Sequence, residues 1–441
     1  MAKVFMQNNN SDADVSPIVI PPEDGSVKRF FPKLKTKFSI RNTFAALKYP
    51  NYRLWFWGQM ISLFGSWMQS TALAYFVFEL THSPAFLGYV GFASGIPAWL
   101  FTFYAGVAAD RYPRKKIIVY TQIGMMIIAV VLALLTFTNV IEPWHILILA
   151  FFSGITNTFD APARHAFVNE LVDKEDLVNG IALNSTMFNT ATAVGPALGG
   201  IIYALFGPGW CFTLNAISFL AVLVNLFQMR LKPVELNRNG NSVLKDVKEA
   251  FEYLRTEKSI FSILLITSML SFFGMGLVTL FPAWAVKILH GDSTTNGFLQ
   301  SARGAGAVLF ALIIATINRY IVRGKYLAHS VAALPVLLFL FSFNRSLFIS
   351  LFLLVLIGGM IITQYNLSNG LIQTMVEEKF RGRVISFYTF TFFALYPLGS
   401  LWIGIVAEKF GVSNAVIVNS LILFIFFVAV KSRNKYLPKI K

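Results

Sequence analysis

The chain has 441 residues, of which 56% are hydrophobic and 13% are charged, and its formal net charge is +16. A soluble protein of this composition would expose far more apolar surface than such proteins do, so a soluble class is excluded. The excess of Lys and Arg alone would suit a nucleic-acid-binding protein. These basic residues stand at the ends of long apolar segments, however, which is the pattern that membrane topology produces.

Residues 1–40 are polar and become basic between Lys28 and Lys37. This composition predicts a disordered cytoplasmic tail. Its basic part suits either contact with anionic lipid headgroups or simple solvation. The segment lacks the apolar centre of a signal peptide, so no signal peptide is predicted.

Twelve apolar segments follow, and each is long enough for a helix that crosses a bilayer, which needs about 20 residues. Strands of a membrane barrel are about half as long and alternate in polarity, so a barrel is excluded. The spans are predicted at about 54–79, 86–109, 117–140, 144–163, 179–206, 210–229, 260–287, 295–318, 327–343, 346–375, 384–407 and 412–430.

The connections between the spans assign an orientation. With both termini in the cytoplasm, nearly all of the 37 Lys and Arg residues lie on the cytoplasmic side. The other side then holds only Lys287, Arg345 and Lys409, and Arg303 lies within the eighth span. Cytoplasmic connections are enriched in Lys and Arg, so the sequence predicts a multi-pass protein with both termini inside.

The longest connection separates spans six and seven. Apolar residues recur there at helical spacing between Leu244 and Leu254, beside charged residues. This pattern predicts an amphipathic helix on the inner membrane surface or against the bundle. The predicted domains are a disordered tail at 1–45, an N-terminal six-helix bundle at 46–230, an amphipathic linker at 231–258, a C-terminal six-helix bundle at 259–431 and a basic tail at 432–441.

The two halves resemble each other. Gly200 in span five recurs as Gly404 in span eleven, at an offset of 204 residues. Gly95 in span two recurs as Gly304 in span eight, at an offset of 209 residues. The sequence therefore predicts an all-α membrane protein with twelve transmembrane helices in two six-helix pseudo-symmetric halves, and a substrate site near the midplane between them.

Two short patterns carry a family resemblance. The connection after span two reads Gly106-Val-Ala-Ala-Asp110-Arg111-Tyr-Pro-Arg114-Lys115-Lys116, and span five contains Ala193-Val-Gly195-Pro196-Ala-Leu-Gly199-Gly200. The first resembles motif A of the major facilitator superfamily, and the second resembles motif C of its export branches. Asp160-Ala-Pro-Ala-Arg164, Asn184-Ser185 and Arg381-Gly-Arg383 are similar to the bacterial branch of enterobactin exporters and transmembrane secretion effectors.

Two residues depart from the family pattern. Pro113 stands where motif A often has Gly, and Thr192 stands where this branch is expected to have Arg. The second departure puts the ion-pair network inside the bundle in question.

Motif A has a physical interpretation beside the resemblance. Gly106 allows two helices to approach closely, and Asp110 is an acid at a helix end, which suits capping of a neighbouring helix N-terminus. The resemblance implies a gating latch in which span eleven is that neighbour and Arg114 pairs with Asp160. Arg111 and Lys115 belong to the same latch. The alternative is a basic loop that only sets the topology.

Motif C predicts a bent and closely packed helix. Pro196 removes a main-chain donor and kinks the helix. Gly195, Gly199 and Gly200 allow a second helix to approach. The resemblance implies export, whereas an ordinary membrane helix with Pro and Gly carries no such meaning.

Polar side chains recur on single faces of spans one, four and ten. A polar face inside a bilayer must face protein or water rather than lipid, so these residues are candidates for the substrate cavity. The alternative for each is a hydrogen bond between helices without substrate contact. The candidates are Gln59, Ser62, Ser66, Gln69, Ser153, Thr156, Asn157, Thr363, Asn366 and Gln373.

Three charged residues within the spans complete the candidate site. Arg303 is predicted to face the cavity and attract an anionic group, although it could also reach outward or pair with Glu79 or Asp292. Glu79 and Asp160 are the candidates for proton coupling, because burial favours the protonated form of a carboxylate. Glu79 lies near the outer end of its span, where a solvated carboxylate is the alternative.

Together these features predict a proton-driven exporter of the major facilitator superfamily, in the bacterial inner membrane, for a small amphipathic, siderophore-like or drug-like molecule. The expected partners are the lipid bilayer, the substrate and, by hypothesis, protons; no nucleic acid, metal or cofactor is expected. A monomer is expected from the resemblance. Alternatives are an importer or a lysophospholipid flippase of the same fold. A membrane-embedded enzyme or a sensor is disfavoured, because no reactive constellation and no large soluble domain is present.

Overall fold

A computed structural model describes residues 44–231, 249, 252–255, 257–317 and 322–433. Twelve long helical segments occupy this part of the chain, and proline opens several of them at the first helical position, where its missing N–H is not needed. They are α1 Pro50–Thr81, α2 Pro84–Arg111, α3 Arg114–Phe137, α4 Pro143–Leu171, α5 Leu177–Phe206, α6 Pro208–Gln228, α7 Lys258–Lys287, α8 Ser293–Ile317, α9 Arg323–Phe343, α10 Leu347–Met375, α11 Glu378–Phe410 and α12 Val412–Arg433.

Eleven of these helices are long and apolar enough to cross a membrane. The exception is α1, which is 32 residues long but carries a polar face that lowers its hydropathy. The predicted all-α class is confirmed. The helices generally extend beyond the predicted spans, since polar end turns continue a helix outside its apolar core. The largest extension is in α4, which continues past Pro162 and ends at Leu171.

The bundle has two ends, which we name from their connections. The basic end carries the connections from α2 to α3, α4 to α5, and α10 to α11. The opposite end carries the connections from α1 to α2, α5 to α6, α9 to α10, and α11 to α12.

The two six-helix halves contact each other through two equivalent helix pairs. α5 packs against α8, and α2 packs against α11. In the first pair, a Cβ added to Gly200 would lie 3.1 Å from the Gly297 Cα; in the second, a Cβ added to Gly404 would lie 3.0 Å from the Gly88 Cα. The repeated glycines of the sequence therefore mark equivalent close contacts between the two halves.

The apolar cores show which end of the bundle is closed. Near the opposite end, residues of both halves share one core, which includes Phe78, Trp284 and Ile403. Near the basic end the halves have separate cores, one around Phe167 and one around Tyr388. The bundle is thus closed at the opposite end and divided at the basic end.

α7 is interrupted in its middle. A π-helical turn, Leu270–Gly274, is followed by a 3-10 turn, Met275–Leu280. Ser271 donates a hydrogen bond to the main-chain oxygen of Phe392 in α11. Short stretches of π and 3-10 helix often mark hinges or functional sites, and this one lies against the helix that forms part of the contact between halves.

The predicted domain boundaries stay predictions, because most of the terminal tails and the linker lie outside the described residues. The amphipathic helix predicted at 244–254 also falls largely outside them. Glu249 and residues 252–255 are helical. Glu249 accepts a hydrogen bond from Arg383 at 2.6 Å, and the Tyr253 ring stacks on Phe380 with centroids 4.4 Å apart. This turn therefore packs against the C-terminal half.

Candidate functional site

The motif A connection makes its contacts within the N-terminal half. Arg114, at the start of α3, forms an ion pair with Glu170 at 2.6 Å, and Lys115 donates to the main-chain oxygen of Met229 at 3.0 Å. The predicted pairing of Arg114 with Asp160 is wrong in this conformation. Because α4 continues to Leu171, Glu170 lies at the basic end beside Arg114, whereas Asp160 lies about 15 Å farther along the helix.

Asp110 does not cap α11 in this conformation. Its side chain is exposed, as is that of Arg111, and among the described residues Asp110 makes no hydrogen bond or ion pair. A Cβ added to Gly106 would meet nothing within 4 Å. The ends of α2 and α11 are apart because the basic end is divided, so the predicted latch is not engaged here.

Asp160 lies in a buried polar cluster between α3 and α4. One carboxylate oxygen accepts hydrogen bonds from Thr121 at 2.8 Å and from Gln122 at 3.2 Å. The other oxygen pairs with Arg164, four residues later on the same helix. Only 3% of Asp160 is exposed. The i,i+4 spacing of the acid and the base could have indicated this pair from the sequence, since such residues face each other on a helix.

The motif C residues build the contacts of α5. Gly195 and Gly199 face α1, where added Cβ atoms would lie 2.6 Å from the Trp67 Cβ and 2.7 Å from the Met68 main-chain oxygen. Gly200 faces α8 instead. Pro196 lies inside the helix, and the main-chain N–H of the next residue, Ala197, donates to the Ser301 hydroxyl at 2.9 Å.

A line of hydrogen bonds joins the two halves near the opposite end, and we call it the polar seam. The Thr71 hydroxyl of α1 donates to the Gln300 side chain of α8 at 3.3 Å. Asn296, one turn earlier on α8, donates to the Thr71 main-chain oxygen at 3.3 Å. Asn296 is fully buried. These residues were not among the predicted candidates, although their i,i+4 spacing on α8 was visible.

The polar face of α1 lies largely inside the N-terminal half. Gln59 and Ser62 are buried, and both amide atoms of Gln59 lack a hydrogen-bond partner among the described residues. Gln69 accepts a hydrogen bond from Asn215 of α6 at 2.9 Å. Ser66 is half-buried. In this conformation Gln69 therefore serves helix packing, the alternative considered for each candidate.

The candidates on α4 divide into two sets. Thr156 contacts α3, because its methyl group would lie 2.7 Å from a Cβ added to Gly124. Ser153 is half-buried, and its main-chain oxygen accepts from the Asn157 amide at 2.9 Å. Asn157 is exposed in the middle of the helix, which places a polar group on a surface that cannot face lipid without cost.

The candidates on α10 divide in the same way. Thr363 is buried and donates to the main-chain oxygen of Gly359 at 2.7 Å. Asn366 and Gln373 are exposed. The Gln373 amide donates to the Asn369 side chain at 2.8 Å. The structure thus brings exposed amide groups to the surfaces of α4 and α10, one in each half.

Arg303 is buried at the inner end of the polar seam. It lies on α8, three residues after Gln300, and only 9% of the residue is exposed. Its neighbour Gly304 contacts the Thr192 main chain of α5, and Gly358 of α10 contacts the Arg303 main chain. Neither Glu79 nor Asp292 forms an ion pair with it among the described residues.

Glu79 is exposed at the opposite end of α1. Its carboxylate accepts a hydrogen bond from the Tyr203 hydroxyl. It lines a surface cleft of about 530 Å³ together with Tyr75, Asp292 and Ser293. This position agrees with the solvated carboxylate that was the alternative to a proton carrier. No group of His, Cys, Asp or Glu within the described residues is arranged to hold a metal ion.

Comparisons with known proteins agree with this architecture. The sequence profile of the transmembrane secretion effector family matches residues 41–441. A staphyloferrin A transporter of Staphylococcus aureus is 23% identical over 365 residues, which cover 82% of this chain and 90% of that protein. Macrolide efflux protein A of Streptococcus pyogenes is 23% identical over 381 residues, which cover 83% and 93%.

An enterobactin exporter of Citrobacter koseri is 24% identical over 344 residues, which cover 77% of this chain and 81% of that protein. The fold is similar to that of a bacterial homologue of the lysosomal transporter Spinster in an inward-facing, unoccupied conformation. That similarity has a TM-score of 0.70 at 14% identity and covers 88% of this chain and 98% of the other. The chain therefore belongs to the transmembrane secretion effector family and is a membrane transporter of the major facilitator superfamily, not an enzyme.

Proposed function

We propose that this transporter exports a small amphipathic molecule, siderophore-like or drug-like, across the bacterial inner membrane by proton-driven alternating access. The observation that carries the proposal is the state of the two ends. The halves share an apolar core at the opposite end and have separate cores at the basic end. A bundle that is closed at one end and divided at the other is one state of an alternating-access cycle.

The orientation in the membrane follows from the charges. The basic end carries the Arg114 and Arg383 connections, and cytoplasmic connections are enriched in Lys and Arg. We therefore assign the basic end, and both termini, to the cytoplasm. The conformation is then inward-open, a state that exporters and importers both visit. The export direction is supported by the relatives described as an efflux protein and an exporter. One chain contains both six-helix halves, which supports a monomeric transporter.

The substrate class rests on two kinds of support. Exposed amide groups on α4 and α10, at Asn157 and Asn366, suit hydrogen bonds to a polar part of the substrate. The relatives are described as a staphyloferrin A transporter, a macrolide efflux protein and an enterobactin exporter. These names cover siderophores and a drug class, which combine polar groups with apolar surface.

Proton coupling is assigned by hypothesis to Asp160 or Glu79. Asp160 is buried and its partners come from α3 and from α4 itself, so a change in its protonation would alter helix packing. Glu79 is exposed and its partner lies on α5. If Asp160 is the carrier, Asp160→Asn abolishes gradient-driven accumulation but leaves substrate exchange. Glu175→Gln, which changes an exposed carboxylate, is the matched control.

The test is accumulation in everted membrane vesicles with and without an imposed proton gradient. Enterobactin, staphyloferrin A and erythromycin serve as probes, and vesicles without the transporter provide the background. Gradient-dependent accumulation of at least one probe is expected, since everted vesicles expose the cytoplasmic side. Uptake only into right-side-out cells would overturn the export direction. Equal accumulation with and without the proton gradient would overturn the proposed proton coupling.

A further inference from the structure

Arg303 carries a buried charge without a counter-charge. Its Nε is enclosed and has no hydrogen-bond partner, and no carboxylate of the described residues forms an ion pair with its guanidinium. The two acids that the sequence offered as partners are engaged elsewhere. Glu79 accepts from Tyr203, and Asp292 accepts from the main-chain N–H of Thr295 at 3.0 Å, where it caps α8.

An unpaired buried charge is costly. A charged side chain at the centre of a membrane helix costs about 2.5–3.5 kcal/mol on insertion scales, and an ion without its partner in a protein interior is strongly destabilising. Arg303 cannot lower this cost by reaching lipid headgroups, because it lies in the interior of the bundle beside α5 and α10. The position therefore calls for an anion that the described residues do not supply.

Arg303 lies between the closed end and the divided end of the bundle. Toward the opposite end, Gln300 and Thr71 close the polar seam. Toward the basic end, the halves no longer share a core. Arg303 thus lies next to the polar seam, on the side of the seam that faces the basic end.

We infer that Arg303 forms an anion subsite at this point, and that the exported substrate carries a carboxylate which binds there. This inference rests on the proposed function. A guanidinium presents a planar pair of N–H donors that matches the two oxygens of a carboxylate. A single positive charge balances one carboxylate, whereas a phosphate monoester would leave one negative charge without compensation.

The test compares three aromatic probes that differ in one group: 2-naphthoate, its neutral amide 2-naphthamide, and 2-naphthyl phosphate. Binding to the purified full-length transporter in lipid nanodiscs is measured by calorimetry. The parent protein is expected to bind naphthoate at least tenfold more tightly than naphthamide, and more tightly than the phosphate. Absent binding of naphthoate, or equal binding of acid and amide, would overturn the inference. Tighter binding of the phosphate would overturn the assignment to a carboxylate.

Substitutions test whether Arg303 causes the preference for naphthoate over naphthamide. Arg303→Gln is expected to remove this preference, and Arg303→Lys to keep only part of it because the planar pair of donors is lost. Arg345→Gln, at the opposite end, is the control and should retain the parent preference. Because Arg303→Gln removes an unpaired charge, its thermal midpoint without ligand should be no lower than that of the parent, which verifies folding.

The Arg303→Gln variant also distinguishes the anion subsite from the proposed export function. In everted vesicles, Arg303→Gln is expected to lose accumulation of the carboxylate siderophore staphyloferrin A while retaining gradient-driven accumulation of the uncharged or cationic probe that the parent exports. Equal retention of both would overturn the anion subsite and leave the export function standing. Absence of transport of every probe by the parent would instead count against the proposed function.

Discussion

The contact between α5 and α8 offers a direct test of how the closed end is held. An Ala at Gly200 would place its Cβ 2.5 Å from the Ser293 main-chain oxygen and 3.0 Å from the Thr294 Cα. Both neighbours are main-chain atoms, which cannot turn aside as a flexible side chain can. Overpacking of this kind costs about 1–3 kcal/mol, and it affects only the conformation in which the two helices touch.

Gly200→Ala should therefore shift the conformational equilibrium away from the closed opposite end by about 5–150-fold. The shift can be measured through a cysteine at Asn296, which is fully buried in the polar seam. Cys211 is the only cysteine in the sequence, so Cys211→Ala, Asn296→Cys gives a background with one reactive thiol. Its labelling rate with a water-soluble maleimide follows the fraction of time that the seam is open, and should rise by the same factor.

Gly370→Ala is the matched control, because a Cβ there would meet nothing within 4 Å. Both substitutions replace a helical Gly by Ala and gain the same helix propensity, which is about 0.5–1 kcal/mol. The control should label at the parent rate. If Gly200→Ala labels no faster than Gly370→Ala, then the close approach of α5 and α8 does not hold the opposite end closed, and the reasoning is refuted.

Two further predictions concern ion pairs near the basic end. Glu170→Gln should lower the free energy of unfolding by about 1.5–3 kcal/mol, the range for hydrogen bonds to charged groups. A thermal double-mutant cycle with Arg114→Gln should show that the two losses are coupled. Additive losses would contradict an ion pair between Arg114 and Glu170. Asp176 lies 2.5 Å from Lys48, and hydrogen bonds from Lys48 and then Tyr49 hold the pKa of its carboxyl below 3.8. The pKa of Lys48 is correspondingly raised above 10.5, chiefly by its hydrogen bond to Asp176. The stabilisation by Asp176 is present above about pH 4 and is lost as the pH falls through the lower folded pKa. The difference in thermal midpoint between the parent and Asp176→Asn should therefore shrink in acid. A difference that persists unchanged at pH 3 would contradict this.

The internal repeats of the sequence predicted two equivalent halves, but they did not predict which helices meet between the halves. Glycines at a constant offset mark places where backbones touch, and a glycine has little other reason to recur at such positions. The structure shows that these glycines, Gly200, Gly304, Gly404 and Gly95, lie where α5 meets α8 and where α2 meets α11. Arg303 was predicted to face the substrate cavity; the structure shows that it is buried, and its contact with substrate stays a prediction.

The partners of the motif A residues could not be predicted in the same way. The fourth span was predicted to end near residue 163, because Asp160 and Arg164 seemed too polar for a membrane helix. The two charges neutralise each other at i,i+4 spacing, so the helix continues and brings Glu170 to Arg114. Similarly, the position of Asp110 depends on which end of the bundle is open, and a sequence does not encode a single state of a cycle.

The interruption of α7 makes the two repeats mechanically unequal. Gly399 of α11 contacts the Phe272 main chain inside the π-helical turn of α7, while the equivalent Gly195 contacts the Phe64 main chain in the uninterrupted α1. A helix with an unbroken hydrogen-bond ladder resists bending, whereas bending concentrates where the ladder changes register. When the contact between the halves separates, the N-terminal half should rotate as a stiff unit, and the deformation should be absorbed near Leu270–Gly274. Amide hydrogen exchange should then be fastest, among the buried central turns of α1 and α7, in that segment.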